Sequence, residues 1–263
     1  MDPTAVLARY DLRMRRNARP DAPGALIERA GAVVRQVAGE RGWNGVVWSG
    51  LDAAGADRAI QDQIARFTEL GRDFEWKLYG HDGPADLAGR LTAAGFRADE
   101  PETLMIGEIA ELPLEERLPD GVRVVRADDA AGIDLVVDVH ERVFGTDGTA
   151  LRAHLLARLA DAPGTVLALV ALAGDEPVAS ARLELVPGGD FAGLWGGGTV
   201  ERWRGRGLYR ALVAHRVRVA AAHGCRHVQV DASAMSRPVL ERLGLHALTT
   251  TTPYLYEVRP EGR

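Results

Sequence analysis

Apolar positions along the chain recur with two periods. In "DFEWKLYG" every second residue is apolar or aromatic: Phe74, Trp76 and Leu78 take one face, and Glu75, Lys77 and Tyr79 the other, which predicts a half-buried strand. In "DAAGADRAIQDQIARFTELG", Ile60, Ile64 and Phe67 fall at helical spacing, with Asp52 as the expected N-cap and Gly71 as the stop. An amphipathic helix is expected from Pro3 to Arg16, closed by "ARPDAPG". "GAVVRQVA" and "NGVVWSGL" read as strands around the turn "GERGWN". "GPADLAGRLTAAGF" is expected as a short helix ending at Gly95, and "ETLMIGEI" as a strand.

"AELPLEERLPDG" (110–121) is polar, carries two prolines and lacks a period, so it reads as a linker between segments 1–112 and 120–263. Beyond it, "VRVVRADDA" runs from a strand into a helix N-terminus, and "AGIDLVVDVHERVFG" and "ALRAHLLARLAD" read as helices. "TVLALVALAG" and "PVASARLELVPG" form a hairpin across "GDEP". A strand "FAGLWGGGTV", a helix "GLYRALVAHRVRVAAAHG", a strand "RHVQVDAS", a helix "SRPVLERLGL" and a strand "YLYEV" follow. The order recurs more weakly in the first half, where "LTAAGFRADEPETLMI" parallels "LERLGLHALTTTTPYL", so an internal duplication is expected. The fold class is α/β (α+β) in two tandem parts, each a mixed, mostly antiparallel sheet flanked by helices.

Composition removes several function classes. With 263 residues at 46% apolar, the chain can build one large core or two small ones. Net charge −5 argues against a general nucleic-acid binder. Cys225 is the only cysteine, which excludes an intramolecular disulfide and fits a reducing compartment. No HExxH or Cys/His cluster suggests a metal. The opening residues lack a signal-peptide core and no run spans a bilayer, so a cytoplasmic protein without membrane partners is expected. Lys77 is the only lysine in an arginine-rich chain.

Against that acidic background, "ERWRGRGLYRAL" stands out. Gly205 and Gly207 let the backbone reach positive φ and approach a ligand at the start of a helix, whose free N–H groups and dipole suit phosphate oxygens. From Arg202 to Val230 there are seven arginines and no acid, a local positive field. The competing reading is a solvated arginine face beside an ordinary turn. A Walker loop is excluded, and a dinucleotide fingerprint fits poorly because Arg210 stands where a small residue belongs. Just upstream, Gly196–Gly198 interrupt a strand, which marks a bulge or a loop. A bulged strand could pair with an amide-bearing ligand; amide arms with a pyrophosphate tail describe coenzyme A.

Arg202-Trp203-Arg204-Gly205-Arg206-Gly207 resembles the Arg/Gln-x-x-Gly-x-Gly/Ala acyl-CoA motif of the GNAT superfamily of N-acetyltransferases, and "SAMSRPVLERLGL" resembles that family's second segment. The likeness covers roughly Val122 to Val258; the first half is similar only loosely and has no such turn, so it looks like a degenerate copy. The resemblance implies an acetyltransferase using acetyl-CoA. It also implies a pyrophosphate held by the amides of Arg204 to Leu208, including Gly205, Arg206 and Gly207, with Arg202 and Tyr209 flanking them. Gly198, Thr199 and Val200 are implied contacts of the pantetheine arm, and the Val200 N–H a donor to the thioester carbonyl.

Where the family carries a tyrosine as general acid, this chain has Leu240; Tyr209 and Tyr254 are substitutes. Glu201 is the first candidate base, with Glu184 second and surface-facing. His215 reads as a half-buried helix residue. His140, Glu141 and Phe144 end the helix that in this family borders the acceptor, and Glu75 and Lys77 are further candidate acceptor contacts or an exposed ion pair. The expected activity is transfer of an acetyl group to a primary amine of a small molecule or peptide by direct attack, in a monomer or homodimer whose halves would both wall the pocket. The alternatives are a non-catalytic acyl-CoA-binding regulatory protein and a self-association module without ligand.

Overall fold

The structure, a computed structural model, describes residues 1–39, 42–112, 115 and 117–258. Glu40 and Arg41 of the turn expected at 39–44, and Pro113, Leu114 and Glu116 of the expected linker, lie outside the described residues. The chain forms two compact units, each built from more than one segment, where the sequence reading set a single boundary between 112 and 120. Unit 1 holds Met1–Leu104, Asp231–Ala234 and the stretch from Leu248 onward; unit 2 holds Met105–Val230 and Met235–Ala247.

The elements, in chain order, are α1 (Pro3–Tyr10), β1 (Leu26–Ala30), β2 (Val33–Val37), β3 (Gly45–Ser49), α2 (Ala56–Leu70), β4 (Phe74–Tyr79), α3 (Leu87–Ala93), β5 (Arg97–Ala98) and β6 (Glu102–Glu108). Then come β7 (Val122–Arg126), α4 (Ala130–Phe144), α5 (Thr149–Asp161), β8 (Val166–Ala173), β9 (Glu176–Leu185), β10 (Phe191–Thr199), α6 (Leu208–Ala222), β11 (His227–Ala232), α7 (Arg237–Arg242) and β12 (His246–Tyr256).

In unit 1, β1, β2 and β3 pair antiparallel, β4 joins β3 in parallel through α2, and β12 pairs antiparallel with β4. Unit 2 repeats that order: β8, β9 and β10 antiparallel, then α6, then β11 parallel to β10, with β7 added against β8. Each sheet is thus mixed and mostly antiparallel. The alternation in β4 buries Phe74 and Trp76, and Phe67 of α2 stacks on Phe74 with ring centroids 4.2 Å apart. In unit 2, Ile133, Val136 and Leu155 of α4 and α5 pack on Ala168 and Val170 of β8.

Several expectations are corrected. The first helix is α-helical only to Tyr10 and continues as a π-helix over Asp11–Arg16, a widened turn that carries Arg15 to 2% exposure. Gly55, not Asp52, is the N-cap of α2; the Asp52 carboxylate instead accepts the Gly55 N–H at 2.8 Å. β1 was not anticipated, and the last strand begins at His246 rather than Tyr254. Gly71, by contrast, ends α2 at φ +62° as its position suggests.

In unit 1, β3 carries an extra residue between Val46 and Trp48, a bulge at Val47. Arg15 donates from Nε to the Val47 carbonyl at 3.1 Å, and its Nη2 reaches both oxygens of Asp82 at 2.8 and 2.6 Å. The guanidinium also lies 3.6 Å from the Tyr79 ring centroid. The glycine ahead of α2, Gly55, keeps a negative φ of −94°, and at this bulge the Arg15 side chain bonds the Val47 carbonyl.

Candidate active site

The turn between β10 and α6 takes its shape from two glycines. Glu201–Trp203 form one 3-10 turn; the chain then passes Gly205 at φ +75° and Gly207 at φ +86°, a region that L side chains rarely adopt. A Cβ at Gly205 would meet nothing within 4 Å, and one at Gly207 only the Arg117 carbonyl at 4.0 Å, so the outer side of the turn is open. Gly207 caps α6 without a side-chain acceptor, and the first amide of the helix with a helical partner is Ala211, bonded to the Gly207 carbonyl at 3.0 Å. The preceding amides point out of the helix end along its dipole. Arg202 pairs with Glu176, Arg204 Nε donates to the Thr199 carbonyl at 3.1 Å, and Arg206 lies over Trp203 at 4.6 Å. The arginine cluster is therefore tied into the turn rather than free.

The strand feeding that turn is bulged. Trp195 faces Arg182 and Gly198 faces Ser180, so β10 has one more residue than β9 across the interval, and Gly196 takes φ +54°. Parallel pairing with β11 runs only from Phe191 to Gly193, which leaves the later part of β10 outside that register. A Cβ at Gly197 would stand 3.0 Å from Tyr209 Cε2, and one at Gly198 would stand 2.9 Å from Val143 Cγ1 and 3.4 Å from Phe144 Cε2. The absence of side chains at these two positions lets α6 and α4 close on the bulge from opposite faces.

Two arginines, an imidazole and a phenol gather there. Arg216, 1% exposed, donates to the Leu212, Arg182 and Trp195 carbonyls at 3.0, 3.0 and 3.4 Å, and burial pulls its guanidinium down to about 10. Burial also lowers Arg182. His140 Nε2 lies 3.0 Å from Thr146 Oγ1, and its ring centroid 5.0 Å from that of Phe144. Burial, and then the charge of Arg182, hold the imidazole below its ordinary pKa, so at neutral pH it carries a free lone pair. Tyr209 is raised by burial, against the pull of Arg216 and of a hydrogen bond with Ser236, and stays protonated.

Residues 134–245 match the model of the acetyltransferase (GNAT) family. That stretch of the chain is similar to a GNAT acetyltransferase domain. A GCN5-related N-acetyltransferase from Kribbella flavida shares the fold at TM-score 0.68 and 19% identity, with 91% of each chain covered. A GCN5-related N-acetyltransferase from Sphaerobacter thermophilus does so at 0.60 and 18%, covering 98% of this chain and 86% of that one. A tandem GNAT protein from the clavulanic acid biosynthesis pathway gives 0.60 and 14%, covering 94% and 87%. No curated protein matches the chain.

Unit 2 brings Gly198, Thr199, Val200, Arg202, Arg204, Gly205, Arg206, Gly207, Leu208 and Tyr209 onto one strand, turn and helix start. One expectation changes: the Val200 N–H donates to the Val178 carbonyl at 3.0 Å, so it is engaged within the sheet. Alternation along the strand turns the neighbouring Thr199 N–H to the opposite edge. Glu201 is exposed in its 3-10 turn. Glu141 accepts the Gly148 N–H at 3.0 Å and ties the end of α4 to the start of α5, whereas Phe144 remains 47% exposed beside the bulge. Glu184 pairs with Arg158 at 3.6 Å. Leu240 is fully buried in the core of this unit and Tyr254 belongs to unit 1.

Glu75 and Lys77 lie in unit 1: Lys77 bonds Asp231, whose carboxylate is 1% exposed, and Glu75 accepts Trp43 Nε1–H at 2.9 Å. Sequence reasoning missed Arg182 and Arg216 altogether. An arginine alternating with leucines on a strand reads as solvent-facing, and nothing local distinguishes it.

Proposed function

We propose that unit 2 acetylates a primary amine by direct attack on acetyl-CoA. The observation that carries this reading is the open, positive-φ turn at Gly205–Gly207 ahead of α6, set beside a bulge walled by Tyr209 and Phe144. A diphosphate fits this turn because unpartnered amides and a helix dipole face open space. The amides of Gly205 to Leu208 would hold it, the Arg204 N–H being bonded to the Glu201 carbonyl at 3.1 Å, with the Gly198–Val200 edge beside the pantetheine arm. Acetyl-CoA supplies the activated acyl carbon.

The chain's own groups then divide the work. The Thr199 N–H is the donor for an acyl oxygen on which negative charge builds. His140, neutral and half-buried above the bulge, takes a proton from the acceptor ammonium more readily than exposed Glu201, because a base works best near the operating pH. Tyr209 gives its proton to the departing sulfur. One carbon–nitrogen bond forms as one carbon–sulfur bond breaks; of the two protons the ammonium loses, the net release is one, the other being balanced by the thiol.

Calorimetry with coenzyme A and a thiol-release assay over a panel of amines test the reading; no heat at millimolar coenzyme A rejects it. Leu240, buried where the family carries its acid, favours a second reading as a non-catalytic acyl-CoA binder, which predicts heat without thiol release on any amine.

A further inference from the structure

Arg182 makes no ion pair among the described residues, and the one acid whose charge acts on it, Glu184, lies closer to Arg158. The Arg182 Nε is buried with no hydrogen-bond partner. Arg216, from α6, binds the backbone carbonyl of Arg182, and the two positive charges repel each other. A buried cation left unpaired is costly unless something else compensates it. The geometry around it shows where that compensation would come from. A Cβ at Gly196 would stand 2.6 Å from Arg182 Nη1, so the guanidinium lies against the bulge, at a residue whose φ of +54° itself favours glycine. Its charge reaches His140 on α4, and Phe144 borders the same space.

We propose that Arg182 is the anion-binding half of the acceptor subsite, and that the acceptor is an amine that also carries a carboxylate. This rests on the acetyltransferase reading above. A guanidinium binds a planar carboxylate through two parallel N–H···O bonds, and its rigid fork fixes orientation as well as charge. With the carboxylate on Arg182, an amine one or two bonds further along faces His140 and the bulge. A dianionic phosphate has the same attraction but a larger desolvation penalty in a half-buried wedge.

The test compares the twenty free amino acids, their amides and aminoalkyl phosphates in the thiol-release assay at pH 8, where His140 is neutral with or without its arginine neighbour. Coenzyme A binding is measured in parallel by calorimetry. The expected result is kcat/KM at least about 100-fold higher for an acid than for its amide, since a site built around a buried charge strongly rejects an analogue that leaves it unpaired. In Arg182→Gln that ratio falls to near one while coenzyme A binds as before, and Arg182→Lys restores part of it. Equal rates for acids and amides, a preference for phosphates, a ratio unchanged in Arg182→Gln, or no turnover of any amino acid by a protein that binds coenzyme A would overturn the proposal. Absence of coenzyme A binding would instead remove the reading beneath it.

Discussion

The ring of Tyr209 lies under Gly197, so close that a Cβ at that glycine would stand 3.0 Å from Tyr209 Cε2. The phenol is therefore fixed against the bulge by α6 itself, and its hydroxyl is held by Ser236. Tyr209→Phe keeps the ring and removes only the proton. Steady-state kinetics should show kcat reduced about 100-fold with the KM for acetyl-CoA little changed; an unaltered kcat excludes Tyr209 as the acid.

The cradle at Gly207 predicts a separation of binding from folding. Gly207→Val forces a branched side chain to φ +86°, at a cost on the order of 1–2 kcal/mol, and fills the open side of the turn. Gly188→Val imposes the same kind of strain at φ +66° in the turn between β9 and β10. Both variants should melt a few degrees lower, but only Gly207→Val should lose its calorimetric response to coenzyme A.

His140 sets a pH limb. Because burial and Arg182 depress its pKa, the acid limb of kcat/KM should lie below the usual imidazole value of about 6.5. Removing the neighbouring charge in Arg182→Gln should move that limb upward, and His140→Gln should abolish it. A limb that ignores both substitutions assigns the base elsewhere.

Unit 1 offers a test of charge burial. Arg15→Met leaves the Asp82 carboxylate, 4% exposed, without its bidentate partner. Loss of one member of a buried pair costs about 3–5 kcal/mol, which urea unfolding would register as a lower midpoint. Arg15→Met with Asp82→Leu should recover much of it, because both polar groups are then gone.

Glu102 gives a stability profile of opposite slope to most carboxylates. Burial, and then the charge of Asp231, push its folded pKa up to about 7 from an ordinary value near 4.5. Between these values the folded chain holds a proton that the unfolded chain has released, so stability falls as pH rises through the window and stays lower above it. Glu102→Gln should raise Tm at pH 8 by about 2 °C or more and leave it unchanged at pH 4. Equal melting curves at pH 8 contradict this account.

What could be foreseen from sequence follows from which features are local. Phe74 and Trp76 alternate because a strand has two faces, Ile60 and Phe67 recur because a helix has one, and Gly71 ends its helix because it alone takes φ +62° without strain. The bulge and the glycine turn were visible for the same reason. β1 was not, since Leu26 is 62% exposed and the strand shows no regular alternation of burial. β12 opens on His246–Leu248 and a threonine run that ends at Pro253, with weak periodicity. Arg182 and the hydrogen bond of Val200 depend on strand register and on packing of a distant helix, and neither leaves a trace in neighbouring residues.

The pairing of β12 with β4 joins Thr251 to Tyr79 and Tyr256 to Phe74, residues that the ribosome adds far apart in time. During translation the amino-terminal sheet therefore waits with one edge of β4 unpaired until β12 has emerged. The nascent first half presents that open strand edge in the meantime, and a gene cut between the halves would yield a fragment missing its own last strand.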